Sequence, residues 1–309
     1  MISIKKNKYG NEVYAPGRKT MQKFIYKPNQ KEAFKLSRTK FENFLKCKRC
    51  FYLDVVGAIK EPSTPQFTLN ALTDDLLKKE FDECRASQIP HKIMIENGLE
   101  NLVPFQHDEI DNWREPLRHG LQITKGNIII SGGVDDIWIN TTNGKLCIAD
   151  YKSQTKSLPI SEEEYWNDHY HESYKIQLDF YSYLLEKMGF EILENAYLLV
   201  VNGIREKERF DWKIEFKPFI FSHKVDTSWI DGKINEMINL INQDLIPESN
   251  HACENCAYRR EAEREENLRN LPEKIIVKID DDISEAGSSI IQWVEKRDNK
   301  IGFDTNLQN

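Results

Sequence analysis

The stretch from Asn127 to Ile139, the pair Asn143-Gly144 and the stretch from Lys145 to Lys152 constrain the fold most. Both stretches are rich in isoleucine and other strand-forming residues, and Asn-Gly between such runs signals a tight hairpin. The sequence predicts a strand over 127–139, a turn, and a returning strand over 145–152. Side chains repeat every two residues along a strand, so Asp150 and Lys152 share a face. Asp135 is expected on the preceding strand, across the turn. Two carboxylates and an ammonium then converge near one end of a hairpin. Two acids this close hold on to protons unless a cation sits between them. Mg²⁺, a hard ion that takes oxygen ligands and keeps several waters, is the natural choice. Lys152 could orient or help deprotonate a metal-bound water and neutralise charge at a phosphate. The chemistry implied is metal-assisted hydrolysis of a phosphodiester. A bare D-x-K triplet is most often a salt-bridged surface feature, so its surroundings must carry the reading.

Before the hairpin, Ser37 is a fitting N-cap for a helix presenting Phe41, Phe44 and Leu45, with the pattern continuing from Cys47 to Leu53. Pro62 and Pro65 break the chain. A second helix is predicted over 69–81, with Leu69, Leu72, Leu76 and Leu77 apolar. After the hairpin, residues 162–188 read as one helix, 196–201 and 215–221 as strands, 228–245 and 261–270 as helices, and 275–279 as a short strand. Trp166, Trp212 and Trp229 are expected in the core or at its rim. His91, His107 and His171 have no metal-ligand spacing.

Two C-x-x-C pairs, Cys47/Cys50 and Cys253/Cys256, lie about 200 residues apart. Each pair can chelate one ion, and four thiolates complete a tetrahedron, so the pairs predict a single four-sulfur site. The spacing leaves Zn²⁺ and an iron–sulfur cluster both open. Cys84 and Cys147 stand alone, and Cys147 on an apolar strand reads as core.

Gly133-Val134-Asp135, then Asp150-Tyr151-Lys152, then Gln177 and Tyr181 form an ordered set. Together they resemble the PD-(D/E)XK nuclease superfamily in its RecB-like branch, over about residues 36–262. That branch includes the nuclease domains of helicase–nuclease recombination enzymes and the CRISPR-associated adaptation nucleases. The resemblance implies an α/β, restriction-endonuclease-like core: a central mixed β-sheet flanked by helices, with the termini fastened by the four-cysteine site. It implies that Asp135 and Asp150 ligate Mg²⁺ or Mn²⁺, that Lys152 is catalytic, and that Gln177 and Tyr181 line the active site or contact DNA. The branch usually has a histidine ligand on an N-terminal helix. Asp74 stands in that place here, and its oxygen could serve a hard ion; Glu80 is a weaker substitute. Relatives often hold a [4Fe–4S] cluster by one N-terminal and three C-terminal cysteines, and the two-plus-two arrangement here departs from that.

Charge is uneven. Residues 1–60 carry 15 Lys and Arg against 4 Asp and Glu, while the whole chain has a net charge of -7. A basic N-terminal region on an acidic body suggests a polyanion contact. Lys46, Lys48 and Arg49 beside the first cysteine pair, and Arg259 and Arg260 after the second, are candidate DNA contacts. Phe51, Tyr52 and Tyr258 accompany them, as stacking groups or as core. The organisation expected is a basic arm over 1–35, the nuclease domain over 36–262 and an extension over 263–309. No apolar run approaches the roughly 18 residues of a membrane span. With no secretory signal in Met1 to Asn11, a cytoplasmic location is expected. The function expected is a metal-dependent DNase acting on single-stranded or end-bearing DNA in repair, recombination or defence, with a helicase or defence-system partner. Its alternatives are a non-catalytic nucleic-acid-binding module of a helicase-type complex and, more weakly, a metal scaffold without DNA.

Overall fold

The computed structural model describes residues 4–62, 67–270, 274–279, 290–295 and 301–304; Pro65 lies outside them. By internal contacts the chain divides into residues 1–248 and 249–309. The first unit runs β1 (Phe34–Ser37), α1 (Arg38–Lys46), α2 (Lys48–Val55), α3 (Thr68–Ser87), α4 (Lys92–Glu96), β2 (Leu102–Pro104), α5 (Ile110–Arg114), β3 (Leu121–Lys125) and β4 (Ile128–Gly132). It continues with β5 (Asp136–Asn140), β6 (Leu146–Gln154), α6 (Glu162–Asn167), α7 (Glu172–Lys187), β7 (Asn195–Gly203), β8 (Phe216–Lys224) and α8 (Ile230–Ile241). The second unit holds α9 (Glu254–Asn270) and an antiparallel sheet of β9 (Lys274–Ile279), β10 (Ile290–Glu295) and β11 (Ile301–Asp304), with β10 in the middle.

The main sheet has the order β2-β5-β6-β7-β8. It is mixed: β6 and β7 run parallel, and the other neighbours are antiparallel. Parallel strands covered on both faces need apolar residues on both, which is why β7 reads as the nearly unbroken run Ala196 to Val201, all of it buried. The faces of β6 sort by parity. Leu146 and Ile148 join the core under α7, with Leu178, Tyr181, Leu184 and Leu185. Cys147, Ala149 and Tyr151 join a second core with Phe81 of α3, Met94 of α4 and Trp138. The parallel pairing forces a long connection from β6 to β7, and α6 and α7 are that connection.

The hairpin forms as Asn143-Gly144 predicts: β5 and β6 are antiparallel, and Gly144 takes φ +74°. The strand before it differs from expectation. The run 127–139 is not one strand. It breaks at Gly133–Asp135, with β4 pairing with β1 and β3 in a separate sheet and β5 joining the main sheet. Gly132 and Gly133 permit the switch. A Cβ on Gly132 would lie 2.4 Å from the Tyr181 ring, and one on Gly133 would lie 2.7 Å from Pro116. Asp135 therefore sits in the break, immediately before β5.

Other boundaries shift for local reasons. The first helical stretch is cut at Cys47, whose backbone is extended (φ -154°, ψ 105°). The stretch 162–188 splits into α6 and α7 around a 3₁₀ turn at His169–His171. Leu69, Leu72 and Leu76 are exposed, and α3 packs through Leu77, Phe81 and Arg85. Trp212 is 92% exposed, against the core or rim position expected of it. Cys147, as expected, is in the core.

Asp231 ties α8 to α7 and β3, accepting from Tyr183 Oη (2.6 Å) and Lys125 Nζ (2.7 Å). The hydrogen bonds from Lys125 and Tyr183 hold its pKa down at about 2. A depressed carboxylate pKa stabilises the fold above the unfolded value, and that contribution fades as pH falls toward the folded one. Asp231→Asn is therefore expected to lower stability at neutral pH and to flatten its decline between about pH 4 and 2. Denaturant titrations at each pH measure this; an unchanged slope would refute the clamp. The carboxylate is 46% exposed, so the effect is modest.

Candidate active site

The hairpin register explains how the acids meet. Asp136 pairs with Ala149. One step further sets Asp135 opposite Asp150, where directly facing side chains stand roughly 5 Å apart at Cβ. Asp150 is 1% exposed, on the face of β6 beneath α7. Lys152, two residues on, turns to the same face and forms an ion pair with Asp150. Gln177 of α7 donates from Nε2 to Asp150 Oδ1 at 2.6 Å and lies 3.4 Å from Tyr181 Oη, one helical turn away. The Tyr151 amide donates to Asp135 Oδ2 at 2.9 Å. Lys152 Nζ also stands 5.1 Å from the centre of the Tyr174 ring.

Asp74 of α3 belongs to this group as well. Lys78, one turn along the helix, bridges Asp74 (2.7 Å) and Asp135 (3.3 Å). Asp74 Oδ1 is buried without a hydrogen-bond partner. Glu80 turns elsewhere, pairing with His91 at 3.3 Å.

The electrostatics divide the acids. Burial pushes Asp150 up to about 7, the charge of Asp135 adds to this, and Lys152 opposes it. Asp135 moves the other way: despite its burial, Lys152, Lys78 and the Tyr151 amide lower its pKa. Of the pair, Asp150 is thus the one pushed toward its protonated form and Asp135 the one held as a carboxylate. Burial and the neighbouring Asp135 raise Asp74. Burial works against the charge on Lys152, yet Asp150 and Asp135 prevail and raise its pKa, so it remains an ammonium.

Asp135 and Asp150 face each other across the hairpin, and Asp74, with an unpartnered buried oxygen, reaches Asp135 through Lys78; oxygen donors of this kind suit a hard divalent cation.

Sequence reasoning missed the support beneath this group. Asp136, next to Asp135, points to the other face of the sheet and is 0% exposed. It accepts from Arg85 Nη2 (2.5 Å), Tyr151 Oη (2.8 Å), the Ile137 amide (2.8 Å), Trp138 Nε1 (3.3 Å) and Arg114 Nη2 (3.4 Å). Arg114 also donates from Nε to the Asp135 carbonyl at 3.0 Å, joining the two residues. The arginines come from α3 and α5, far away in sequence, so no local spacing announces them. Lys78 did leave a signal: it stands four residues after Asp74, the helical spacing for an ion pair.

Cys47 and Cys50 lie at the start of α2 in the first unit, and Cys253 and Cys256 at the start of α9 in the second. Among the candidate DNA contacts, Lys46 pairs with Glu42 (2.6 Å), Lys48 lies 3.7 Å from Glu236, and Arg49 donates to the Pro247 carbonyl (3.2 Å). Arg259 and Arg260 are exposed on α9, as is Tyr258. Phe51 and Tyr52 are buried, so they serve the core. His171 is buried with Nδ1 2.6 Å from the Tyr165 carbonyl, and His91 caps α4. No helix among the described residues is long and apolar enough to cross a membrane.

A model of the PD-(D/E)XK nuclease superfamily matches residues 68–260. No curated protein and no solved structure matches the chain.

Proposed function

Because the chain belongs to the PD-(D/E)XK nuclease superfamily, we propose that it is a Mg²⁺- or Mn²⁺-dependent deoxyribonuclease of RecB-like type acting on single-stranded or end-bearing DNA. Membership implies nuclease activity in general; the DNA substrate and the metals are our reading. The observation that carries it is the convergence of Asp135, Asp150, Lys152 and Gln177 on one face of the hairpin, with the unpartnered oxygen of Asp74 beside them. When bound there, the cation would supply an activated water and neutralise phosphate charge. Gln177 fixes the orientation of Asp150, and the Tyr151 amide fixes that of Asp135. Lys152, whose ammonium form the neighbouring Asp150 and Asp135 favour, is suited to meet the charge that develops on a phosphate oxygen. Repair, recombination or defence, beside a helicase or defence-system partner, is the setting we propose.

The test is cleavage of single-stranded and duplex DNA with Mg²⁺, with Mn²⁺ and with EDTA, beside Asp135→Asn. Cleavage is expected with either metal and is expected to vanish with EDTA or in the variant. Equal background in every case would leave hydrolysis without support. One observation favours the second reading, a non-catalytic nucleic-acid-binding module: Lys78 already sets a positive charge between Asp74 and Asp135. Retained DNA binding without cleavage would select it.

We also propose that the two C-x-x-C pairs together hold one metal centre, a [4Fe–4S] cluster or Zn²⁺. Protein purified without oxygen is expected to be brown and iron-bearing, or colourless with one zinc per chain. A preparation with neither metal would count against the site, and Cys50→Ser is expected to lower its metal content.

A further inference from the structure

The cation-rich N-terminal region plays no part in the reading above. Residues 17–19 lie along residues 58–60 as a short strap. The Lys19 amide donates to the Ala58 carbonyl and the Lys60 amide to the Gly17 carbonyl, both at 2.8 Å, and Arg18 bridges Ile59. The strap borders a cavity of about 630 Å³, within the roughly 300–1,000 Å³ usual for small-molecule sites. Its apolar lining includes the buried Phe34, Leu36 and Val55. Phe24, 46% exposed, also lines it and leaves ring surface open.

Charge in the lining is one-sided. Lys5, Arg18, Lys19, Lys35, Lys40 and Lys60 contribute, with Glu61 as the one acid. Asp54, outside the lining, pairs with Lys19 (2.6 Å) and with Lys40. Arg18 donates to the Gly57 carbonyl (3.1 Å), and Lys35 to the carbonyls of His119 (2.8 Å) and Pro116 (3.2 Å). Carbonyl partners leave the cationic charge in place. Burial lowers the pKa of both Lys19 and Lys35, so a bound anion would relieve a cost already present.

A neutral apolar ligand would leave this charge uncompensated, and a bare inorganic anion would leave the apolar wall uncovered. A planar body carrying a phosphate satisfies both. We propose that the cavity binds a nucleoside phosphate, with the phosphate at Arg18 and Lys60 and the base against Phe24. Arg18 can grip a phosphate through two parallel hydrogen bonds. The ligand's source is either a free nucleotide or the terminal nucleotide of a strand.

The experiment is calorimetric binding to the full chain in EDTA, where metal-dependent hydrolysis is off; its result is therefore separable from the nuclease test. The probes are dAMP, deoxyadenosine, inorganic phosphate, and one short oligodeoxynucleotide with and without a 5′-phosphate. dAMP is expected to bind at least about tenfold more tightly than deoxyadenosine or phosphate, a difference of about 1.4 kcal/mol. Arg18→Glu and Lys60→Glu are each expected to weaken it by about tenfold or more. Glu61→Gln removes the one acid and is expected to tighten binding, a gain that misfolding cannot mimic. Tighter binding of the phosphorylated oligonucleotide, lost in Arg18→Glu, would assign the strand end; equal binding of the two oligonucleotides beside tight dAMP would assign the free nucleotide. If dAMP binds no better than deoxyadenosine, or ignores both charge reversals, the site is overturned.

Discussion

Lys152→Ala is expected to reduce DNA cleavage by at least about 10²-fold, the scale seen when one charge-stabilising donor is removed from a reacting site. The expectation rests on position: Lys152 is the cation ion-paired to Asp150, and its side chain is 21% exposed. The fold should survive. Without the ammonium, Asp150 loses the cation that opposes its protonation, and burial then favours its neutral form, so no unpaired charge is left buried. Lys152→Ala should therefore melt close to the wild type while cleaving far more slowly. Lys152→Arg is expected to recover only part of the rate, because a guanidinium is larger and its donors are fixed in a plane. Cleavage by Lys152→Ala within about threefold of the wild type would remove the residue from the chemistry.

Asp136→Ala is expected to cost about 3–5 kcal/mol of stability, the usual consequence of removing one partner from a buried ionic group. Five donors converge on this carboxylate, two of them from guanidinium groups whose side chains are 8% and 10% exposed. Asp82 also binds both arginines, which limits the damage without replacing the lost acceptor. For a domain of about 250 residues each kcal/mol corresponds to roughly 2–4 °C in Tm, so thermal unfolding reads the effect directly. The neighbouring Asp135→Asn should do the reverse, leaving Tm near the wild-type value and removing cleavage. Exchanged phenotypes, with Asp135 structural and Asp136 catalytic, would overturn the assignment of the two faces.

Much of the site was legible because it depends on short-range rules. Asn143-Gly144 dictates a turn, the turn dictates antiparallel pairing, and a period of two then joins Asp150 to Lys152. The cysteine pairs were legible through spacing. The break at Gly133–Asp135 was not, since alternation along Ile128 to Ile139 reports strand character but not which sheet a strand joins. Asp135 was singled out from Asp136 only through the Gly133-Val134-Asp135 motif of the resemblance. What Asp136 does became visible only with the arginines arriving from α3 and α5. Leu69, Leu72 and Leu76 of α3 misled for a related reason. A helical stripe shows that one face is apolar, not that another element covers it.

The long connection between β6 and β7 also has a kinetic consequence. Asp150 and Gln177 are 27 positions apart and meet only after residues 155–194 have looped back and docked. Asp74 is more distant still. Loops of this kind must be closed before their contacts return any stability, which slows folding. A nascent chain that has already formed the hairpin would carry no competent hydrolytic centre, because the glutamine and β7 come later. Activity should consequently emerge late in refolding, behind the signal of the hairpin itself.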